Sequence, residues 1–167
     1  MGGINCGGGG GNVSPEFSAE YIEQLASYCK SLFNGSAKFF EANVAIEDAV
    51  MTGGDLVVAT QLLSSSEDAL TSARATLGTV AALWSSVRTP EVDFGEQQKL
   101  ISDAVNKIAV ARLELQTLAV NDSLQQSLWQ DPVLTSNFVA ALESLSRTTS
   151  WQGEFAQVFA PANLVVA

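Results

Sequence analysis

The chain has 167 residues, 18 acidic against 8 basic side chains and no histidine, for a net charge of −10. Apolar residues make up 47% and charged residues 16%, which excludes a disordered acidic tail and every histidine-dependent mechanism. The acidic balance argues against nucleic-acid binding, where a basic face provides the sequence-independent affinity. A chain of this length buries roughly 70% of its extended surface in one domain, so its core needs no disulfide or metal to complete it.

Seven of the 13 glycines fall within residues 1–11. Residues 1–13 therefore read as a flexible Gly-rich arm, because such a run maximises backbone freedom and cannot build a core. Gly2 followed by Cys6 departs from the myristoylation pattern, which prefers Ser or Thr at position 6. No basic segment followed by an apolar core opens the chain, so no secretory signal is expected. Cys6 and Cys29 read as two free thiols in a reducing compartment, since a disulfide-dependent scaffold would carry more cysteines.

Residues 14–149 read as the helical domain. Ser14 and Pro15 have the chemistry of an N-cap and first helical position. Phe17, Tyr21, Leu25, Tyr28 and Leu32 follow on one face, predicting a helix over 15–33 that ends at Asn34-Gly35. Ser36 caps a second helix, 37–52, with Phe39, Ala42, Ile46 and Ala49 in its stripe and Gly53-Gly54 at its end.

The strongest pattern follows Asp55. Leu56, Ala59, Leu63, Ser66, Leu70, Ala73, Leu77, Val80, Trp84 and Val87 step by three and four without a break, with Ser66 the one polar exception. This predicts a helix over 55–88. Ser64-Ser65-Ser66 with Glu67-Asp68 forms a polar patch in mid-helix, or a hinge. Thr89-Pro90 stops the helix. A fourth helix, 94–120, carries Ile101, Ala104, Ile108, Ala111, Leu115 and Leu118. The short connection predicts that these two long helices form an antiparallel coiled-coil-like hairpin.

A short helix over 123–130 and another over 132–147 complete the domain, the latter started by Asp131-Pro132. Residues 150–167 form an apolar tail containing Trp151, Phe155 and Phe159, with Glu154 its only charge. The fold class expected is all-α. A helix of 34 residues would be roughly 50 Å long, longer than the roughly 40 Å breadth of a compact globule of this length. The bundle is therefore expected to be elongated and to cover its apolar surface by oligomerisation.

No catalytic constellation, cofactor motif or metal set emerges. The run Gly7–Gly11 lacks the Gly-Lys-Ser/Thr of a phosphate loop. The pairs Glu16/Glu20 and Glu20/Glu23 lack the Glu-x-x-His of a di-metal helix bundle. Trp151-Gln152-Gly153 spells W-x-G, but small secretion substrates of the WXG class carry that tripeptide at the bend of a helical hairpin. The bend here is at Thr89-Pro90, so that resemblance fails.

In layout the chain has a glycine-rich arm, an Ala-, Ser-, Gln- and Leu-rich helical body of low charge, and an apolar tail. It resembles the small internal virion (ejection) proteins of short-tailed bacteriophages. The resemblance rests on layout, with no residue motif, so no functional residue is carried over. It implies a non-enzymatic structural protein in the virion, assembled in the host cytoplasm and forming symmetric oligomers with itself and other virion proteins. It also allows transient membrane contact and implies no cofactor or small-molecule substrate. The residues expected to carry the interactions are Leu56, Leu63, Leu70, Leu77, Trp84, Ile101, Ile108, Leu115, Trp151, Phe155 and Phe159. The arm would thread against a neighbour. The alternative is a cytoplasmic interaction module, adaptor- or secretion-chaperone-like, that binds a partner helix along the 55–120 hairpin.

Overall fold

The computed structural model describes residues 4–5, 19–85, 94–120 and 127–150. The fold is all-α, with four helices packed in a bundle: α1 (Ala19–Thr52), α2 (Val57–Ser85), α3 (Phe94–Ala119) and α4 (Pro132–Ser146). The one extended pairing among the described residues is a two-residue parallel ladder of β1 (Ile4–Asn5) with β2 (Thr149–Ser150). Two residues of the arm thus pair with the chain's own segment after α4, where a neighbouring subunit was expected to hold them.

The predicted break at Asn34-Gly35 does not occur. The helices expected at 15–33 and 37–52 are one helix of 34 residues, roughly 50 Å long. Gly35 and Ser36 are buried in its interior. The reason is tertiary. A Cβ on Gly35 would stand 2.6 Å from Cγ and Cδ2 of Leu70 and 3.3 Å from the Leu70 backbone nitrogen. The glycine is there because α2 passes too close for any side chain. The Ser66 hydroxyl donates to the Gly35 carbonyl at 2.7 Å across the same contact. The two local anomalies of the sequence, a glycine inside a helix and a serine inside an apolar seam, are partners.

The real end of α1 is Gly53, at φ +71°. There the absence of a Cβ removes the penalty of the left-handed conformation. The Gly54 N–H then donates to the Ala49 carbonyl at 3.1 Å, closing the helix end. Asp55 caps α2 by accepting the Val57 N–H at 2.9 Å. Asp131 caps α4 by accepting the Leu134 N–H at 2.9 Å, with Pro132 following as the sequence predicts. Residues 127–130, expected at the end of a short α-helix, form a 3₁₀ turn. Three residues per turn is a common way to enter a helix over so short a run.

Interhelical contacts fix the directions. Arg112 pairs with Glu67, Arg74 donates to Ser102 at 2.8 Å, and Gly78 approaches Gln98. Partners descend along α3 as α2 ascends, so the two helices are antiparallel. Arg147, at the end of α4, lies 3.6 Å from Glu96 at the start of α3, so α3 and α4 are antiparallel as well. The α1–α2 turn and the α3–α4 connection therefore share one end of the bundle, called the turn end below.

The core runs the length of all four helices. The expected seam positions from Leu56 to Val80 in α2 are all buried, Ser66 included. So are Ile101, Ala104, Ile108, Ala111, Leu115 and Leu118 in α3, and Leu134, Phe138, Ala141, Leu142 and Leu145 in α4. The most extensive packing is between α1 and α2, rather than within the α2–α3 hairpin on which the sequence reading centred. Phe39 of α1 stacks on Phe138 of α4 at 4.4 Å, and Trp129 meets Phe138 edge-on at 5.3 Å. This aromatic cluster ties the first helix to the last; such pairs add about 1 kcal/mol each beyond their buried area.

Cys29 is disulfide-bonded, which corrects the expectation of free thiols and removes the argument for a reducing compartment drawn from them. Among the described residues no helix is long and apolar enough to cross a membrane.

Candidate interaction surface

Seven of the residues expected to carry interactions lie in the interior. Leu56 just before α2, Leu63, Leu70 and Leu77 of α2, and Ile101, Ile108 and Leu115 of α3 are buried within the chain. They hold the chain's own fold together, with α1 laid along α2 and α4 along α3. The side chain of Trp84 and the tail residues Trp151, Phe155 and Phe159 lie outside the described residues, as does the W-x-G tripeptide.

The mid-helix polar patch is a junction. Adjacent residues of a helix point about 100° apart, so Ser66 and Glu67 address different neighbours. Ser66 bonds to α1. The Glu67 carboxylate accepts two hydrogen bonds from the Arg112 guanidinium of α3, the longer at 3.3 Å. The Glu67 hydrogen bond raises the already high guanidinium pKa, with desolvation opposing it. The helix passes through unbroken, so this level of α2 binds its two neighbours together and is no hinge.

Surface left over from the core is found elsewhere. Met51 is 84% exposed, Val57 52%, Val58 56% and Val120 85%. Val133, in the first turn of α4, is also exposed. All five belong to the turn end. Met51, Val57 and Val58 flank the α1–α2 turn, and the register of α2 on α3 brings Val120 level with Val57 and Val58. Val44, Val110 and Leu113 stand exposed about two to three helical turns further in. Single exposed apolar residues are normal; among the described residues five gather at this end, with Ile22 the exposed one toward the other.

The turn end is also acidic. Between Lys38 and Arg74 there is no basic residue and there are six acids. Between Arg112 and Arg147 there is again no basic residue and there are four acids. These two stretches, which meet at the turn end, carry the whole net charge of −10; over the rest of the chain eight acids match eight bases. At the turn end two carboxylates are pressed together. Glu114, near the end of α3, lies within hydrogen-bond reach of Asp131 at the start of α4. That hydrogen bond, then desolvation and the Asp131 charge, hold the Glu114 carboxyl above the usual range.

The described residues contain no group of three or more Cys, Asp or Glu side chains placed to hold a metal ion. The turn end is not visible as a surface in the sequence, because its apolar residues lie off every seam. The charge division was readable, but only the topology brings the two acidic stretches together. Comparison with known proteins gives no match to a family model, to a curated protein or to a solved structure.

Proposed function

We propose that the protein is a non-enzymatic structural component of a larger protein assembly, of the internal virion (ejection) type that its layout resembles. The observation that supports this most directly is the turn end. The seam side chains are spent on the chain's own core, yet among the described residues large apolar side chains remain exposed at one end. A finished bundle with spare apolar surface is a block for building with. In this reading the bundle is elongated, with α2 packed between α1 and α3. The tail after residue 150 joins copies into a symmetric oligomer, and the turn end meets other proteins of the assembly. The protein assembles in the host cytoplasm and resides in the virion.

The alternative, a module holding a partner helix along residues 55–120, has less support. The apolar positions such a helix would use, such as Leu63, Leu70 and Ile108, are covered by the chain itself. The test is the absolute mass of the full chain by light scattering after size exclusion. A closed ring of defined copy number is the expected result. A monomer near 17.6 kDa at all concentrations would overturn the oligomeric reading.

A further inference from the structure

We infer that the exposed apolar turn end docks a cationic amphipathic segment of another protein, one that presents Lys or Arg beside Leu-, Val- or Met-type side chains. The inference rests on the assembly reading and names the chemistry of the partner. The apolar part of the surface is Met51, Val57, Val58, Val120 and Val133, all exposed. Burying such side chains is what gives a docking surface its affinity.

Charge complementarity selects the occupant. Five acids, Glu47, Asp48, Asp55, Glu114 and Asp131, stand at this end on two stretches that contain no basic residue, and two of the carboxylates, Glu114 and Asp131, sit against each other. A second copy of the chain, docked end to end, would bring like charge against like and be disfavoured. Anionic lipid and nucleic acid are repelled for the same reason. The chain's own tail is apolar but carries only Glu154, so it offers nothing to the carboxylates. A cationic segment satisfies both halves of the surface at once, and steering by the acidic end would speed its arrival.

The full chain contains two methionines, Met1 and Met51, and this allows a site-specific test. Met51 oxidation by dilute hydrogen peroxide is followed by peptide mass spectrometry, with Met1 as internal reference. The probe is a synthetic amphipathic helical peptide of Leu and Lys, and its Leu/Glu counterpart serves as control. In the free protein Met51 should oxidise as fast as an exposed methionine. The Leu/Lys peptide should slow it about tenfold at saturation, and the Leu/Glu peptide should not. By fluorescence anisotropy, Val57→Ser/Val58→Ser and, separately, Glu47→Gln/Asp48→Asn/Glu114→Gln should each weaken Leu/Lys binding about tenfold. Glu20→Gln/Glu23→Gln, in the charge-balanced part of the chain, should change it less than about twofold.

Three results would overturn the inference. One is a Met51 already protected in the free chain, which would mean that the tail or a second copy covers the site. Another is binding weakened equally by the Glu20/Glu23 pair, which would mean diffuse attraction only. The last is binding indifferent to the valines. A ring in light scattering without peptide binding would remove this inference and leave the assembly reading standing; a monomer that binds the peptide would do the reverse.

Discussion

The waist of the α1–α2 pair and the turn end break the same rule in opposite directions. At the waist small and polar residues are buried: Gly35, Ser36 and Ser66. At the turn end large apolar residues are exposed. The waist is explained by backbone approach. Two helices can come this close only where one carries no Cβ, and the carbonyl exposed by that missing side chain is met by the Ser66 hydroxyl. The turn end is explained by the lack of a further layer within the described fold. Stability should therefore reside at the waist and association at the turn end, and substitutions at the two places should separate cleanly.

The largest effect is expected from Gly35→Val. Its Cβ would overlap Leu70 near the backbone, where the leucine cannot swing away. Overpacking should cost about 3 kcal/mol, read as a lower urea midpoint. The milder Gly35→Ala should cost about 1–2 kcal/mol, the overlap outweighing the roughly 1 kcal/mol that alanine gains in helix propensity. In a Leu70→Ala background, itself destabilised by about 3 kcal/mol, Gly35→Ala should cost less than about 0.5 kcal/mol, because its main obstacle is gone. Additive costs in that cycle would mean that the two residues are not in contact.

Ser66→Ala comes next. It deletes one buried hydrogen bond to the Gly35 carbonyl and should cost about 1 kcal/mol with helix content unchanged. Circular dichroism together with the unfolding midpoint checks both statements.

A smaller effect, with a definite sign, belongs to Glu114. Its folded carboxyl is held above the usual range by Asp131. Between the ordinary carboxyl value and that raised one, the folded chain keeps a proton that the unfolded chain has lost. The contribution is therefore present at low pH and is lost as pH rises through the raised folded value. Glu114→Gln should remove this decline and leave the protein slightly more stable than wild type at neutral pH. Unfolding midpoints measured from the ordinary carboxyl range up to pH 7 would show it. A variant less stable than wild type at neutral pH would mean that Glu114 has a favourable partner instead.

Much of this fold was legible in residue spacing. The seams of α2 and α3 follow a heptad that the tertiary structure had no reason to disturb. Asp55, Asp131 and Gly53-Gly54 act within a few residues of themselves, so local chemistry was enough to assign them. Gly35 was not legible, because a glycine after an asparagine is a good local stop signal. Only contact with Leu70, 35 positions later in the sequence, makes the same glycine a reason for the helix to continue. The disulfide at Cys29 was missed because two cysteines give no framework pattern. The pairing of Ile4–Asn5 with Thr149–Ser150 joins distant two-residue segments that carry no strand signal. The candidate surface was half legible: its acids are visible in the sequence, but its location depends on which turns share an end.

The division of labour between waist and turn end is tested most directly by one measurement: the urea unfolding curve of Met51→Ser/Val57→Ser/Val58→Ser/Val120→Ser. If these four exposed side chains are spare surface, the midpoint should stay within about 0.5 kcal/mol per site of wild type, with an unchanged slope. A loss of about 4 kcal/mol or more, on the scale of core truncation, would mean that the turn end belongs to the core, and the account of it as a docking surface would be wrong.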